Sequence, residues 1–362
     1  MKHGPCCGGE PRRRWPMATR AGATMLVMTV VGGLVACGSQ TGPQAKPTPG
    51  TATASGPGAS APAPGGTVGS GARPSHPATG APGGGVRTPP PPRTVTSLAY
   101  QLQGYADGRL DALAREPHQL AVIDLARDAH TDWFTAAEIT ALRRSGKRVL
   151  AYFEIGSLEN FRPEYPVIRR TAPDLLANEW TQWPGEYFVQ YWDARWWDRV
   201  VRPRVDQALR AGFDGVYLDT PLAYEEISLT HTRGRDRARL AADMVALIAR
   251  ISTYAKARRP GFLIVPQNSP ELREQPGYTA AIDGIGMEEL FYLATDEPCT
   301  RDWCATNLAH TRALRDAGKF VLAIDYAVRA ENVRAACRRY RAERFAGTVT
   351  VREVDRLTAP CG

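Results

Sequence analysis

Residues 212–221 read GFDGVYLDTP. Gly212 follows a long helical pattern and stops it, because glycine enters the left-handed conformation that closes a helix without steric cost. Phe213 to Leu218 are mostly apolar, as in a strand covered on both faces, and Pro221 prevents the strand from running on. Asp219 stands at the point where the strand must end. One carboxylate at a strand end means little by itself, since such residues often cap the next helix or pair with an arginine, so its meaning depends on how the other strands end.

Working outward, seven further runs share this character: LAYQLQG (98–104), LAVIDLA (120–126), RVLAYFEIG (148–156), GFLIVPQN (261–268), IDGIGMEE (282–289), FVLAIDY (320–326) and GTVTVRE (347–353). Helical patterns alternate with them. TAAEITALRRSGK has Thr135 as N-cap and Glu138 as its capping-box partner, WDRVVRPRVDQALRAG ends at Gly212, and DRARLAADMVALIARISTYAKARR is stopped by Pro260. Eight strands alternating with helices over residues 94–362 predict a (β/α)8 barrel of TIM type, whose usual size is about 250 residues. An open doubly wound sheet is the runner-up, but the glycine-rich phosphate turn it would want after an early strand is missing. The run YFVQYWD (187–193) is extended, yet no helix separates it from RVLAYFEIG, so it falls in an insertion between the third and fourth strands.

The chain ahead of the barrel has a different composition. Arg12, Arg13, Arg14 and Arg20 precede the apolar run ATMLVMTVVGGLVA, which reads as a secretory signal too short to span a membrane. Its end, Leu34-Val35-Ala36-Cys37, resembles the bacterial lipobox. That resemblance implies cleavage before Cys37, a lipid on its thiol, and a protein anchored to the outer face of the cell membrane. Residues 38–93 are rich in Pro, Gly, Ala, Ser and Thr and have almost nothing to bury, so they are expected to form a disordered tether. The expected organisation is a signal peptide over 1–37, a linker over 38–93 and the barrel over 94–362.

This division changes the meaning of the net charge of +8. The leader has five basic residues and one acid, and the linker has four basic residues and no acid, so residues 94–362 are neutral overall. A protein that tracks phosphates needs its positive charge on the folded surface, and no nucleic-acid partner is expected. Four cysteines lie in the barrel segment: Cys299, Cys304, Cys337 and Cys361. Outside the membrane they predict two disulfides. Of the three pairings, Cys299 with Cys304 and Cys337 with Cys361 are favoured because each ties a loop or the tail locally. Zinc is the competing use, but only His310 lies near, so no metal is expected.

Polar residues gather at the strand ends: Gln101 and Gln103, Asp124 and Asp128, Glu154 and Glu159, Asp219, Gln267 and Asn268, Glu288 and Glu289, Asp325 and Tyr326. In a barrel these positions converge on one rim. His118, His130, His231 and His310 are scattered and read as surface or helix-end residues. A Gly-x-Ser-x-Gly nucleophile elbow is missing, as are cofactor fingerprints, so no cofactor is expected. Many acids with few histidines point to a carboxylate pair, the equipment of glycoside hydrolysis. Aromatic residues crowd the insertion. Core packing is the better reading for Trp196 and Trp197, and stacking on sugar rings for Trp183, Tyr187 and Tyr191.

These residues together resemble glycoside hydrolase family 114, the endo-α-1,4-polygalactosaminidase family. YFEIGSLENFRPEYP is similar to its Tyr-Phe-x-x-Gly-x-x-Glu-x-x-Arg-Pro motif and WPGEYFVQYWD to its Trp-Pro-Gly-Glu segment. AGFDGVYLDT and IDGIGMEELFY, with CTRDWC just beyond, are similar to its strands bearing an Asp and a Glu. The resemblance implies catalytic carboxylates at the ends of the fourth and sixth strands, here Asp219 as nucleophile and Glu288 as acid/base of a retaining mechanism. Retention needs carboxyls about 5 to 5.5 Å apart, inversion about 6.5 to 9.5 Å. Glu289 would point off the rim, since neighbours on a strand alternate.

Around the pair, Tyr152, Glu154, Glu159, Arg162, Asp193, Asn268, Asp325 and Tyr326 are the matching positions or adjacent strand ends expected to bind sugar hydroxyls and an amine. The chain departs from many relatives in having Thr220 after Asp219 and Gln267 before Asn268, where Asn and Lys are common. The expectation is a monomeric, lipid-anchored glycosidase acting on an amino-sugar polysaccharide, α-1,4-linked galactosamine by the resemblance. The alternatives are a carbohydrate-binding lipoprotein without catalysis and a surface scaffold for a protein partner.

Overall fold

The computed structural model of the chain describes residues 95–293 and 296–361. The leader, Cys37 and the linker expected over 38–93 lie outside the described residues. Eight strands form the centre: β1 (Leu98–Tyr100), β2 (Leu120–Asp124), β3 (Arg148–Glu154), β4 (Gly215–Asp219), β5 (Leu263–Pro266), β6 (Gly284–Glu288), β7 (Phe320–Tyr326) and β8 (Ala346–Thr350). β1 to β5 pair in sequence order and β6 to β8 likewise, every pair parallel. Parallel bridges Gln267–Gly286 and Ser97–Gly347 join the two arcs into a closed barrel. Each strand falls inside the run read from the sequence, except that β8 starts one residue earlier, at Ala346.

Helices α1 (Asp111–Arg115), α2 (Ala136–Arg144), α3 (Arg202–Ala211), α4 (Arg237–Arg258), α5 (Asp302–Asp316) and α6 (Ala330–Glu343) form the outer layer. Thr135 and Glu138 make the expected capping box at the start of α2, and Gly212 closes α3 at φ 88°. The helix expected from Trp197 is not uniform. Residues Trp197–Val201 form a π-helical turn before α3 begins. Pro203 has no N–H to continue an α-helical ladder, and a wider turn ahead of it absorbs the mismatch. Trp196 and Trp197 are buried there, as the core reading of these two residues had it.

The insertion after β3 is an antiparallel sheet of Ser157–Glu159, Leu176–Glu179 and Glu186–Val189, the last strand in the middle. It holds the extended run that the sequence placed outside the barrel. Tyr191 is a correction to the sugar-stacking expectation: it is 2% exposed, and its hydroxyl donates to the Leu240 carbonyl at 2.9 Å. His118 is a second correction, being buried instead of at the surface, where the cost of burying a cation lowers its pKa.

Alternation along the strands divides the apolar residues into two cores. Leu98, Val122, Leu150, Tyr217, Val265, Leu322 and Ile324 fill the barrel, while Ile123, Phe153, Val216, Leu218, Ile264 and Met287 pack outward under the helices. Gly286 is required by this packing. The ring of Tyr217 lies against its Cα, and a Cβ there would run into the Tyr217 ring and hydroxyl. The disulfides Cys299–Cys304 and Cys337–Cys361 are both formed, with Cα separations of 5.9 and 4.9 Å. The second closes a span of 24 residues and fastens the tail to α6, worth about 3 kcal/mol by chain entropy.

Gly286→Ala should destabilise the barrel by about 1 to 3 kcal/mol through overpacking, read as a lower urea midpoint with an unchanged slope.

Candidate active site

The two-residue period that fills the barrel also sets its mouth. On β3, Leu150, Tyr152 and Glu154 lie on the inner face; on β4, Gly215, Tyr217 and Asp219 do. Asp219 is therefore the last inward position of β4, and Glu288 holds the same place on β6. Both are partly exposed, whereas the strand residues before them are buried. Tyr152 donates its hydroxyl to Asp219 Oδ2, and the Thr220 N–H donates to Oδ1 at 2.6 Å. Tyr326 donates to Glu288 Oε1, while the side-chain amides of Gln267 and Asn268 (3.1 Å) both donate to Oε2. The Glu288 N–H returns a bond to Asn268 Oδ1 at 2.9 Å.

Among the described residues every donor to these two carboxyls is a hydroxyl, an amide or a backbone N–H, none of them cationic. Burial raises both acids, and for Asp219 the neighbouring Glu288 adds to it, to about 7. Tyr100, Tyr152, Tyr217 and Tyr326 form an aromatic floor below them, with Tyr217 ring centroids 5.5 Å from Tyr100 and 6.3 Å from Tyr152. Burial pushes all four hydroxyls up, so they remain protonated donors.

The backbone turns sharply at this rim. Thr220, Asn268 and Glu289 follow three consecutive strand ends and have φ of 60°, 58° and 56°. Left-handed residues other than glycine are uncommon and cluster at functional sites. Strand alternation thus stops at Glu288, and Glu289 is placed by a turn.

On the other side of the mouth the charges are compensated. Arg162 Nε lies 2.8 Å from Glu154 Oε1 and 2.7 Å from Glu159 Oε2, and its Nη1 lies 2.9 Å from Asp124 Oδ2. Arg204 on α3 reaches Glu154 Oε2 at 2.8 Å and Glu164 at 3.0 Å. Burial alone would raise Glu154, but the Arg162 and Arg204 guanidiniums outweigh it and hold this carboxyl well below the usual range. Glu159 is pushed up by burial and by Glu154.

This arrangement corrects part of the expected sugar-binding set. Glu154 (1% exposed) and Arg162 (6%) are spent on each other and on neighbouring ions, so they brace the rim from below. Asp325 points outward from the barrel and is fully buried, accepting the Phe291 and Tyr292 N–H groups at 2.7 and 2.8 Å and the Tyr340 hydroxyl. Asp193 caps the turn beginning at Ala194 and pairs with Arg195 at 2.8 Å.

Tyr152, Asn268 and Tyr326 touch the carboxyl pair directly. Trp183 stays exposed under Arg352, whose guanidinium carbon is 4.7 Å from the ring, and Tyr187 stacks on Tyr165 at 5.5 Å. Tyr100, Tyr217, Ser157 and Glu186 were not among the expected site residues, and Gln267 and Thr220 were named only as a strand-end residue and as departures from the family pattern. Tyr217 could have been found, since it precedes Asp219 by two positions and so shares its face. Glu186 was legible only as the Glu of the Trp-Pro-Gly-Glu segment, because its approach to Asp219 depends on the fold of the insertion.

Comparison with known proteins agrees with this architecture. The family model described as glycoside-hydrolase family GH114 matches residues 80–362. An uncharacterized protein of Deinococcus radiodurans is 36% identical over 258 residues, covering 71% of this chain and 80% of that protein. The glycoside hydrolase domain of PelA from Pseudomonas aeruginosa superposes with a TM-score of 0.58 at 17% identity, over 73% of this chain and 98% of that domain. Aspergillus fumigatus Ega3, solved in complex with galactosamine, gives 0.56 at 20% identity, over 76% and 98%. At these identities the two structures speak for the fold alone.

Arg204→Met leaves Glu154 buried with half its compensation, so it should cost about 3 to 5 kcal/mol. Equilibrium urea unfolding at neutral pH measures this directly.

Proposed function

The chain belongs to glycoside-hydrolase family GH114, and from that premise we propose that it hydrolyses an amino-sugar polysaccharide, α-1,4-linked galactosamine, with Asp219 as nucleophile and Glu288 as acid/base. The observation that carries this reading is the pair of carboxyls ending β4 and β6, raised by burial and without a cationic donor among the described residues. Such a mouth suits a substrate that brings its own positive charge. A protonated sugar amine supplies the cation that the protein withholds, and its arrival favours ionised Asp219. The galactosamine bound to the Aspergillus protein supports the same choice of sugar.

In this mechanism Asp219, steadied by the Tyr152 hydroxyl and the Thr220 N–H, attacks the anomeric carbon while Glu288 protonates the leaving oxygen. Glu288, now ionised, then takes a proton from water, which releases the sugar from Asp219 with its configuration retained. Trp183 and Tyr187 offer ring faces to sugars beyond the cleavage point. The pair works while it holds one proton, so activity follows a bell in pH. It fails at low pH when Asp219 is protonated and at high pH when Glu288 is not.

On partially deacetylated α-1,4-galactosaminan, Asp219→Asn and Glu288→Gln should each lower kcat by about 1,000-fold or more. Undiminished turnover in either variant would remove that residue from the mechanism. Azide rescue separates the roles. Asp219→Gly with azide should yield a glycosyl azide of inverted anomeric configuration, and Glu288→Ala one of retained configuration, both read by NMR. The reverse pattern would exchange the two roles.

The same reading holds the enzyme outside the cell membrane by a lipid on Cys37, with residues 38–93 as the tether. Cys37→Ser should abolish metabolic labelling with radioactive palmitate and release the protein from the membrane fraction. Persistent labelling would refute the anchor.

A further inference from the structure

Glu186 has no part in the chemistry above, yet it is enclosed beside Asp219. It opens the central strand of the insertion and lies in register with Glu159 on the neighbouring strand, which puts the two carboxyls on one face. Its Oε1 is 2.5 Å from Ser157 Oγ, which is 2.9 Å from Thr220 Oγ1, which is 2.8 Å from the Asp219 carbonyl oxygen. The Gly156 N–H also donates to Thr220 Oγ1, at 3.0 Å.

The protons along this line can be counted. The chain ends on a carbonyl, which only accepts, so the single Thr220 hydroxyl proton goes there. Thr220 Oγ1 then accepts from Gly156, and the single Ser157 proton lies within reach of both Thr220 Oγ1 and Glu186 Oε1. With Glu186 protonated, its O–H donates to Ser157 and Ser157 donates on to Thr220; with Glu186 ionised, Ser157 donates to Glu186 instead.

We propose that Glu186 is a positioning residue that works in its protonated form: its carboxyl O–H begins a hydrogen-bond chain through Ser157 and Thr220 that fixes the left-handed turn holding Asp219. This rests on the reading of Asp219 as the reacting carboxylate. The surroundings favour the neutral acid. Glu159 faces Glu186 from the adjacent strand, Asp219 from β4 and Glu154 from β3, while the cation facing it, Arg162, is already shared among Asp124, Glu154 and Glu159. Burial, then Asp219, push Glu186 up to about 8. Ionised, it would draw the Ser157 proton to itself, and Thr220 would lose that donor.

The test uses the full chain and two independent measurements. Glu186→Gln supplies an amide N–H where the acid supplies O–H, and it cannot ionise. Between the ordinary carboxyl value of 4.5 and about 8, native Glu186 keeps a proton that the unfolded chain has given up. Stability is therefore lost as pH rises through that window, and the melting temperature of the unaltered chain should fall relative to Glu186→Gln by on the order of 5 °C. A difference that does not vary with pH overturns the proposal whether or not any glycan is turned over.

In the activity assay, Glu186→Gln should keep kcat within about threefold below about pH 6 and extend the alkaline limb, while Glu186→Ala loses about 100-fold in kcat with KM little changed. Equal impairment of the two variants at acid pH overturns the proposal. Should Glu186→Ala not fold, Thr220→Val interrupts the chain with Glu186 in place, and wild-type kcat in that variant has the same consequence. If the unaltered chain turns over no galactosaminan, the glycosidase reading fails and the melting comparison still decides the role of Glu186.

Discussion

Glu154 stands between two guanidiniums, and much of the site depends on that clamp. Arg162 comes from the turn after the first insertion strand and Arg204 from α3, so one carboxyl at the end of β3 ties the barrel, the insertion and the outer helices together. Burying these charges is expensive, and the pairing is tolerable because each guanidinium also reaches a second acid, Asp124 or Glu164. The clamp spends both of its guanidiniums on buried acids. Across from it, the donors to Asp219 and Glu288 among the described residues are neutral, and burial outweighs their hydrogen bonds, so both acids stay raised.

That division gives the mouth its chemistry. Hydroxyls and amides lower a carboxyl's proton affinity less than a cation would, so burial leaves both acids raised, Asp219 to about 7. Tyr152, Tyr217 and Tyr326 provide the donors and the floor, and Gly286 leaves the space that the Tyr217 ring occupies. The left-handed residues Thr220, Asn268 and Glu289 turn the chain away as soon as each strand has delivered its acid or amide. Thr220 is where this chain departs from the Asp-Asn that the family resemblance implies. Its hydroxyl occupies a buried slot between Gly156, Ser157 and the Asp219 carbonyl.

Local patterns carried the reading of the sequence as far as local physics reaches. The capping box at Thr135, the stop at Gly212, all eight strands and both disulfides follow from spacing, residue type and short separations along the chain. Asp325 and Asp193 misled because a polar residue near a strand end can face either way. Asp325 is one position out of phase with the inward residues Ile324 and Tyr326, and this phase places it behind the barrel wall. Tyr191 and His118 misled for a related reason, since an amphipathic side chain says little about which of its halves is covered.

The sequence by itself determined the barrel and the strand ends on which its acids stand, because alternation and helix punctuation act over a few residues. It also located Asp219 and Glu288, through their positions at the ends of buried strands and through the family resemblance. Only the tertiary structure decided which acids are compensated. Glu154 meets Arg204 across 50 residues, Asp219 meets Tyr152 across 67, and Glu186 reaches Thr220 through Ser157. Whether a carboxyl is an ion, a held proton or a brace depends on the charges within a few ångströms of it, and those neighbours exist only once the barrel has closed.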